Sequence, residues 1–112
     1  MAKDIELSVS MQGQIAIINI SGDVTAVTGT SVEETHDRED VQGAERIILE
    51  FNDECYINSG GLAFLIDISS KSRKKGQVIC VTGLSDHFEK IFHMVGLTRC
   101  LEIFPTMEDA LK

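Results

Sequence analysis

Four times along this chain a short apolar run gives way to a turn and then to a segment with helical spacing or helical start signals. The runs are Ile15–Ile20, Ile47–Phe51, Val78–Val81 and Leu101–Phe104. Each is too short for a helix and most are apolar on successive residues, which suits strands covered on both faces. Strands that alternate with helices build a mostly parallel sheet. Ahead of them, Ile5, Leu7, Val9 and Met11 alternate with Glu6, Ser8 and Ser10. That is the pattern of a half-buried strand, and Gln12-Gly13-Gln14 folds it back as an antiparallel hairpin. The predicted architecture is a single α/β domain over residues 1–112, in the order β-β-α-β-α-β-α-β-α.

The segments between the strands differ in strength. Ser31-Val32-Glu33-Glu34 opens a predicted helix over residues 30–42, heavily charged and with little apolar face to bury. Its acidic run reads as a solvated face. Residues 59–75 carry Leu62, Phe64, Leu65, Ile66 and Ile68 over a broad helical arc, and Gly76 stands where a C′ glycine belongs. In residues 86–95, Phe88, Ile91, Phe92 and Val95 share one face, with Ser85 or Asp86 as cap and Gly96 as terminator. Pro105-Thr106 opens a terminal helix with Glu108 and Asp109 in its first turn.

Composition removes whole classes of function. A net charge of −8 repels phosphate backbones. The one basic cluster, Lys71, Arg73, Lys74 and Lys75, falls at a predicted helix C-terminus, where cations complement the dipole. Direct nucleic-acid binding is not expected. The apolar runs are far shorter than a membrane span, so no membrane insertion is expected either. Met1-Ala2-Lys3-Asp4 lacks the apolar core of a signal peptide, and Cys55, Cys80 and Cys100 form no C-x-x-C pair. Both features point to a cytoplasmic protein whose cysteines are buried, reduced and inert. No metal or other cofactor is expected.

The usual catalytic layouts are missing. There is no phosphate-binding glycine loop, no dinucleotide fingerprint and no G-x-S-x-G elbow. His36, His87 and His93 lack metal-ligand spacing. A hydrolase built on Ser59 and one of these histidines stays open as the enzyme alternative, although no acidic orienter or oxyanion donor is identifiable. A response-regulator receiver would need clustered acids at an early strand end. Asp53 after the central strand is the one such feature, and the initial hairpin is wrong for that fold.

The most informative stretch is Asn58-Ser59-Gly60-Gly61-Leu62. As an ordinary cap, Ser59 accepts a hydrogen bond from the first helical turn, worth about 1 kcal/mol. Two glycines in that turn are unfavourable relative to alanine and imply that something approaches the backbone closely. A phosphate on Ser59 would sit beside free N–H groups at the positive end of a helix and add nearly two negative charges. Such a group suits a binary switch.

From Arg46 to Leu111 the chain resembles the STAS domain family, and within it the bacterial anti-sigma factor antagonists. The resemblance rests on the Ile47–Phe51 strand, the Asn58-Ser59-Gly60-Gly61-Leu62 turn and the Val78–Val81 strand. It continues in Met94-Val95-Gly96-Leu97 before the last strand, and Ser21-Gly22-Asp23 resembles the family's glycine-acid turn. It implies a regulatory binding module with no catalysis of its own, acting in transcription regulation by partner switching. The unphosphorylated domain would bind an anti-sigma factor that is also a serine kinase and carries the ATP. Phosphorylation at Ser59 would release it, and a phosphatase would reset it. The implied partner-binding residues are Asp23, Asn58, Ser59, Gly60, Gly61 and Leu62. Two features depart from the family pattern: Asn58 replaces the usual aspartate, and residues 24–42 lack a leucine-rich first helix. The alternative within the family is an unphosphorylated STAS scaffold or nucleotide-binding module in a sensor assembly or transport system.

Overall fold

The computed structural model describes residues 5–52 and 54–112; Met1–Asp4 and Asp53, both weighed above, lie outside them. Five strands form one sheet in chain order: β1 (Glu6–Gln12), β2 (Ile15–Ser21), β3 (Arg46–Glu50), β4 (Val78–Thr82) and β5 (Glu102–Phe104). β1 and β2 form the predicted antiparallel hairpin, and every later pairing is parallel. The expected α/β topology is therefore present, because each run of consecutive apolar residues finds a layer on either side.

One face of the sheet presents Ala16, Ile18, Ile20, Ile47, Leu49, Phe51, Ile79 and Val81 to the main core. That core is closed by α1 (Gly29–His36), α3 (Ser59–Lys74) and α4 (Asp86–Met94), through Val32, Leu65, Ile68, Phe88 and Phe92. On the other face, Ile17, Ile48 and Cys80 are covered by the short α5 (Met107–Leu111) through Ala110. Arg46 ties α5 down by donating to the Ala110 carbonyl at 2.8 Å.

Helix ends follow local chemistry. Ser85, rather than Asp86, caps α4 by accepting from the Phe88 amide. Thr106 does the same for α5 from Asp109. α3 stops in a Schellman motif: the Gln77 amide bonds the Ser72 carbonyl and the Gly76 amide bonds that of Arg73. Gly76 has φ +82°, a conformation that a Cβ disfavours. After α4, Gly96 leads into a 3-10 turn over Leu97–Arg99 that periodicity did not foretell, and Leu97 plugs the core.

The single exposed helix expected over residues 30–42 is instead two. α1 ends at His36, Arg38 is extended at ψ 144°, and α2 (Glu39–Gln42) starts afresh. Nor is the segment weakly buried. Val32, His36 and Val41 are at most 1% exposed, while Glu34, Asp37, Glu39 and Asp40 form the expected solvated face. The break lets Val41 reach the core, which an unbroken helix would have turned elsewhere. Val95, expected on the apolar face of α4, lies past its end and is exposed, and Cys100 is only partly buried. Cys55 and Cys80 are buried, and burial pushes the Cys80 thiol up to about 11.

The buried imidazole of His36 is the polar centre of this region. Its Nε2 lies 2.6 Å from the Ser72 hydroxyl on α3, and its Nδ1 is 3.3 Å from the Gln42 amide. Burial holds its pKa below the ordinary 6.5; Lys71 and Lys75 push the same way, while Asp37 and Asp67 oppose. The unfolded chain therefore binds a proton that the folded chain resists, and stability must fall as pH drops through 6.5 toward the folded value. Urea melts should show unfolding free energy declining over that window by up to about 1.4 kcal/mol per pH unit. The His36→Gln variant, whatever its absolute stability, should show a flatter profile; an identical slope would place the titrating group elsewhere.

Candidate functional site

The site is assembled where two connections cross at the C-terminal end of the parallel strands. One is the β2–α1 loop, residues 22–28. The other is the segment from Asn52 into α3. Val24 and Ile57 make an isolated parallel bridge. The Val24 amide donates to the Tyr56 carbonyl at 2.8 Å, and the Asn58 amide donates to the Val24 carbonyl at 3.1 Å. The loop is knit internally by two threonines. Thr25 Oγ1 accepts from the Val27 and Thr28 amides, and Thr28 Oγ1 donates to the Asp23 carbonyl and accepts from the Thr25 amide.

The glycine pair exists for this crossing. A Cβ on Gly61 would fall on the Val24 carbonyl, and one on Gly60 would stand 2.7 Å from the Ala26 Cβ. Both contacts are closer than real side chains allow. The close approach inferred from the sequence is thus made by the chain's own backbone. Gly29 repeats the device at the start of α1, where a Cβ would enter the Phe64 ring.

The cap is not the residue first assigned to it. Asn58, in extended conformation, accepts the Gly61 amide on its Oδ1 at 2.9 Å, and its carbonyl accepts from Leu62 at 2.9 Å. Ser59 is the first helical residue. It is exposed, and among the described residues its hydroxyl has no hydrogen-bond partner. The Ser59 and Gly60 amides likewise have no acceptor among them. α3 carries no acidic residue in its first turn and has Lys71, Arg73 and Lys74 in its last. The positive end of the helix macrodipole therefore has no acid of α3 beside it and adjoins an exposed hydroxyl.

The other expected residues divide by position. Asp23 is half-buried at the base of the crossing loop. Gly61 is buried and Leu62 packs against the core, so both hold the turn from behind. The rim is apolar: Val27 is 74% exposed and Tyr56 54%, and Ala26, Ala63 and Ile66 are exposed as well. Ala63 and Ile66 lie four and seven residues beyond Ser59 on the same face of α3. Sequence reasoning missed this rim, although the spacing of Ala63 and Ile66 from Ser59 was visible. No histidine is hydrogen-bonded to Ser59 among the described residues. The one serine–histidine pair, Ser72 with His36, is wholly buried and closed to any substrate. Among the described residues no three His, Cys, Asp or Glu side chains gather as metal ligands, and no helix is long and apolar enough to cross a membrane.

The sheet is mostly parallel with an N-terminal hairpin, and an exposed serine opens the helix after its central strand. The STAS domain family model matches residues 6–110, and the chain belongs to that family. Its fold is similar to that of an anti-sigma factor antagonist from Mycobacterium paratuberculosis, with TM-score 0.82, 19% identity, and coverage of 99% of this chain and 96% of that one. It is also similar to the phosphorylated form of the Bacillus cell fate determinant SpoIIAA, with TM-score 0.68, 16% identity, and coverage of 95% and 96%. A sulfate transporter family protein from Wolinella succinogenes matches too, with TM-score 0.67, 16% identity, and coverage of 83% and 80%.

The local assignment makes a graded prediction for thermal or urea unfolding. Asn58→Ala should cost about 1 kcal/mol through loss of the cap, Asn58→Asp should keep it, and Ser59→Ala should stay within about 0.5 kcal/mol of wild type. Gly61→Ala should cost about 1–3 kcal/mol because the crossing backbone must move. A larger loss from Ser59→Ala than from Asn58→Ala would refute the cap assignment.

Proposed function

We propose that this chain is a partner-switching regulator of the anti-sigma factor antagonist type, turned off by phosphorylation of Ser59. The observation that carries this reading is the state of Ser59: exposed, without a hydrogen-bond partner among the described residues, and first in a helix of 16 residues. A kinase reaches such a hydroxyl without unfolding anything. The partner is an anti-sigma factor with serine kinase activity, which supplies the ATP, and a separate phosphatase restores the hydroxyl. The chain itself acts as binder and substrate, and carries no catalysis.

The docking surface comprises Ser59, Asn58, the Gly60 backbone and Asp23, framed by Val27, Tyr56, Ala63 and Ile66. Apolar contact across that rim favours association through burial of nonpolar area. A phosphate at its centre places nearly two negative charges within an interface that must shed its water, which costs more than the rim contacts return. In the free protein the same phosphate sits well, because the Ser59 and Gly60 amides, without acceptors among the described residues, and the helix end favour an anion. The switch thus separates the two states mainly through the complex.

The presence of Asn58 at the cap, and the likeness to a transporter-family protein, support a second reading. In it an unphosphorylated STAS scaffold, or a nucleotide-binding module, serves a transport or sensor assembly.

Incubation with the cognate kinase and ATP, read by intact mass, should add one phosphate that is absent in Ser59→Ala. Ser59→Glu should weaken partner binding at least about tenfold. Equal affinity of wild type and Ser59→Glu would sink the switch, and an unmodified Ser59 in a bound complex would favour the scaffold.

A further inference from the structure

We propose that β1 is a self-pairing edge: two copies of this chain join their Glu6–Gln12 strands antiparallel about Val9 and double the sheet. This rests on the strand alone and is independent of the role of Ser59.

The two edges of the sheet are unlike. β5 has three residues and is followed by Pro105, which gives an intruding strand little to pair with. β1 has seven residues, and all seven pair with β2 in unbroken register. It therefore contains no bulge, and its sequence ELSVSMQ contains no lysine or proline. The usual guards against edge pairing are missing from the longer edge. Glu6 is its one charge.

In an antiparallel ladder, residues placed opposite each other point their backbone groups either both toward the junction or both away from it. A strand pairing with its own copy thus matches residues of the same parity. The register about Val9 uses the whole strand: Glu6 faces Gln12, Leu7 faces Met11, Ser8 faces Ser10 and Val9 faces itself. Registers about Ser8 or Ser10 pair residues 6–10 or 8–12 only, five rather than the seven of the full strand. About Val9 no like charges meet. Leu7, Val9 and Met11 lie on the helix side, where Leu7 and Val9 are half-buried and Met11 is 42% exposed, so joining extends the apolar layer. Ser8 and Ser10 are exposed on the opposite face and can hydrogen-bond across the junction.

The opposing force is charge. Each copy carries −8, and α1, which packs against β1, itself carries Glu33 and Glu34. Salt screens this repulsion, so association should strengthen with ionic strength. A two-fold axis perpendicular to the sheet reverses the strand direction between copies. The two Ser59 turns then lie at opposite ends of the joined sheet, both open.

Light scattering and sedimentation from roughly 10 μM to 1 mM should show mass rising from monomer to dimer, more steeply at ~0.5 M salt than at ~0.05 M. Alternate β1 amides should gain exchange protection over the same range. Ser8→Lys with Ser10→Lys sets lysines opposite each other and should abolish the dimer. Ser8→Lys with Ser10→Glu sets Lys opposite Glu and should restore it. Both positions are exposed, so the fold should be kept, as circular dichroism will show. A monomer mass throughout with concentration-independent exchange overturns the proposal, as does a dimer that the double-lysine variant leaves intact.

Discussion

The contact on which the site depends is a backbone crossing. Val24 and Ile57 pair as a fragment of parallel ladder beyond the end of the sheet, and Gly61 lies against the Val24 carbonyl. Two hydrogen bonds fix the register, and the absence of a Cβ permits the approach. This crossing decides where α3 begins, since the Asn58 amide is already committed to Val24 and its side chain is free to cap. It also puts Ala26 and Val27 next to the helix start. Exposure of Ser59 is a consequence: the inner positions of the turn are filled by the loop, and the first helical side chain is left on the surface.

Electrostatics then sharpen what geometry sets up. An aspartate before the serine would cap the helix equally well but put a carboxylate beside the hydroxyl. Asn58 supplies the same oxygen without the charge. On a chain of net charge −8, α3 is polarised, with no acid in its first turn and three cations in its last. An anion at Ser59 would meet a helix end with no acid of α3 in its first turn, which would offset part of the repulsion from the rest of the surface. Departure from the family residue at position 58 therefore leaves the cap intact and removes one negative charge from the helix start.

Much of the architecture was legible because strand signals here are clean. Ile47–Phe51 and Val78–Val81 are short apolar runs followed by well-capped helices, and such βα units permit few topologies. The importance of Asn58-Ser59-Gly60-Gly61-Leu62 was also visible, because two glycines at a helix start are locally unfavourable and require a tertiary cause. What approached them was not visible, since Val24 is 37 positions from Gly61 and only the folded chain brings them together. The cap was misassigned to Ser59 because Asn and Ser cap almost equally well, and pattern alone cannot shift a boundary by one residue. The segment over residues 30–42 was misread for another reason. His36 counts as polar in any periodicity, so a face made of Val32 and His36 does not register as apolar, yet its imidazole is buried because Ser72 and Gln42 bond it.

α1 is held at both ends by α3. At its start Gly29 lies under the Phe64 ring, and at its end His36 bonds Ser72, so the two helices contact one another over most of the length of α1. The surface around Ser59, Ala63 and Val27 rests on ordered elements, so little conformational entropy would remain to be lost on any contact there. On a surface so supported, any contact would be decided by shape and charge rather than by rearrangement beneath it.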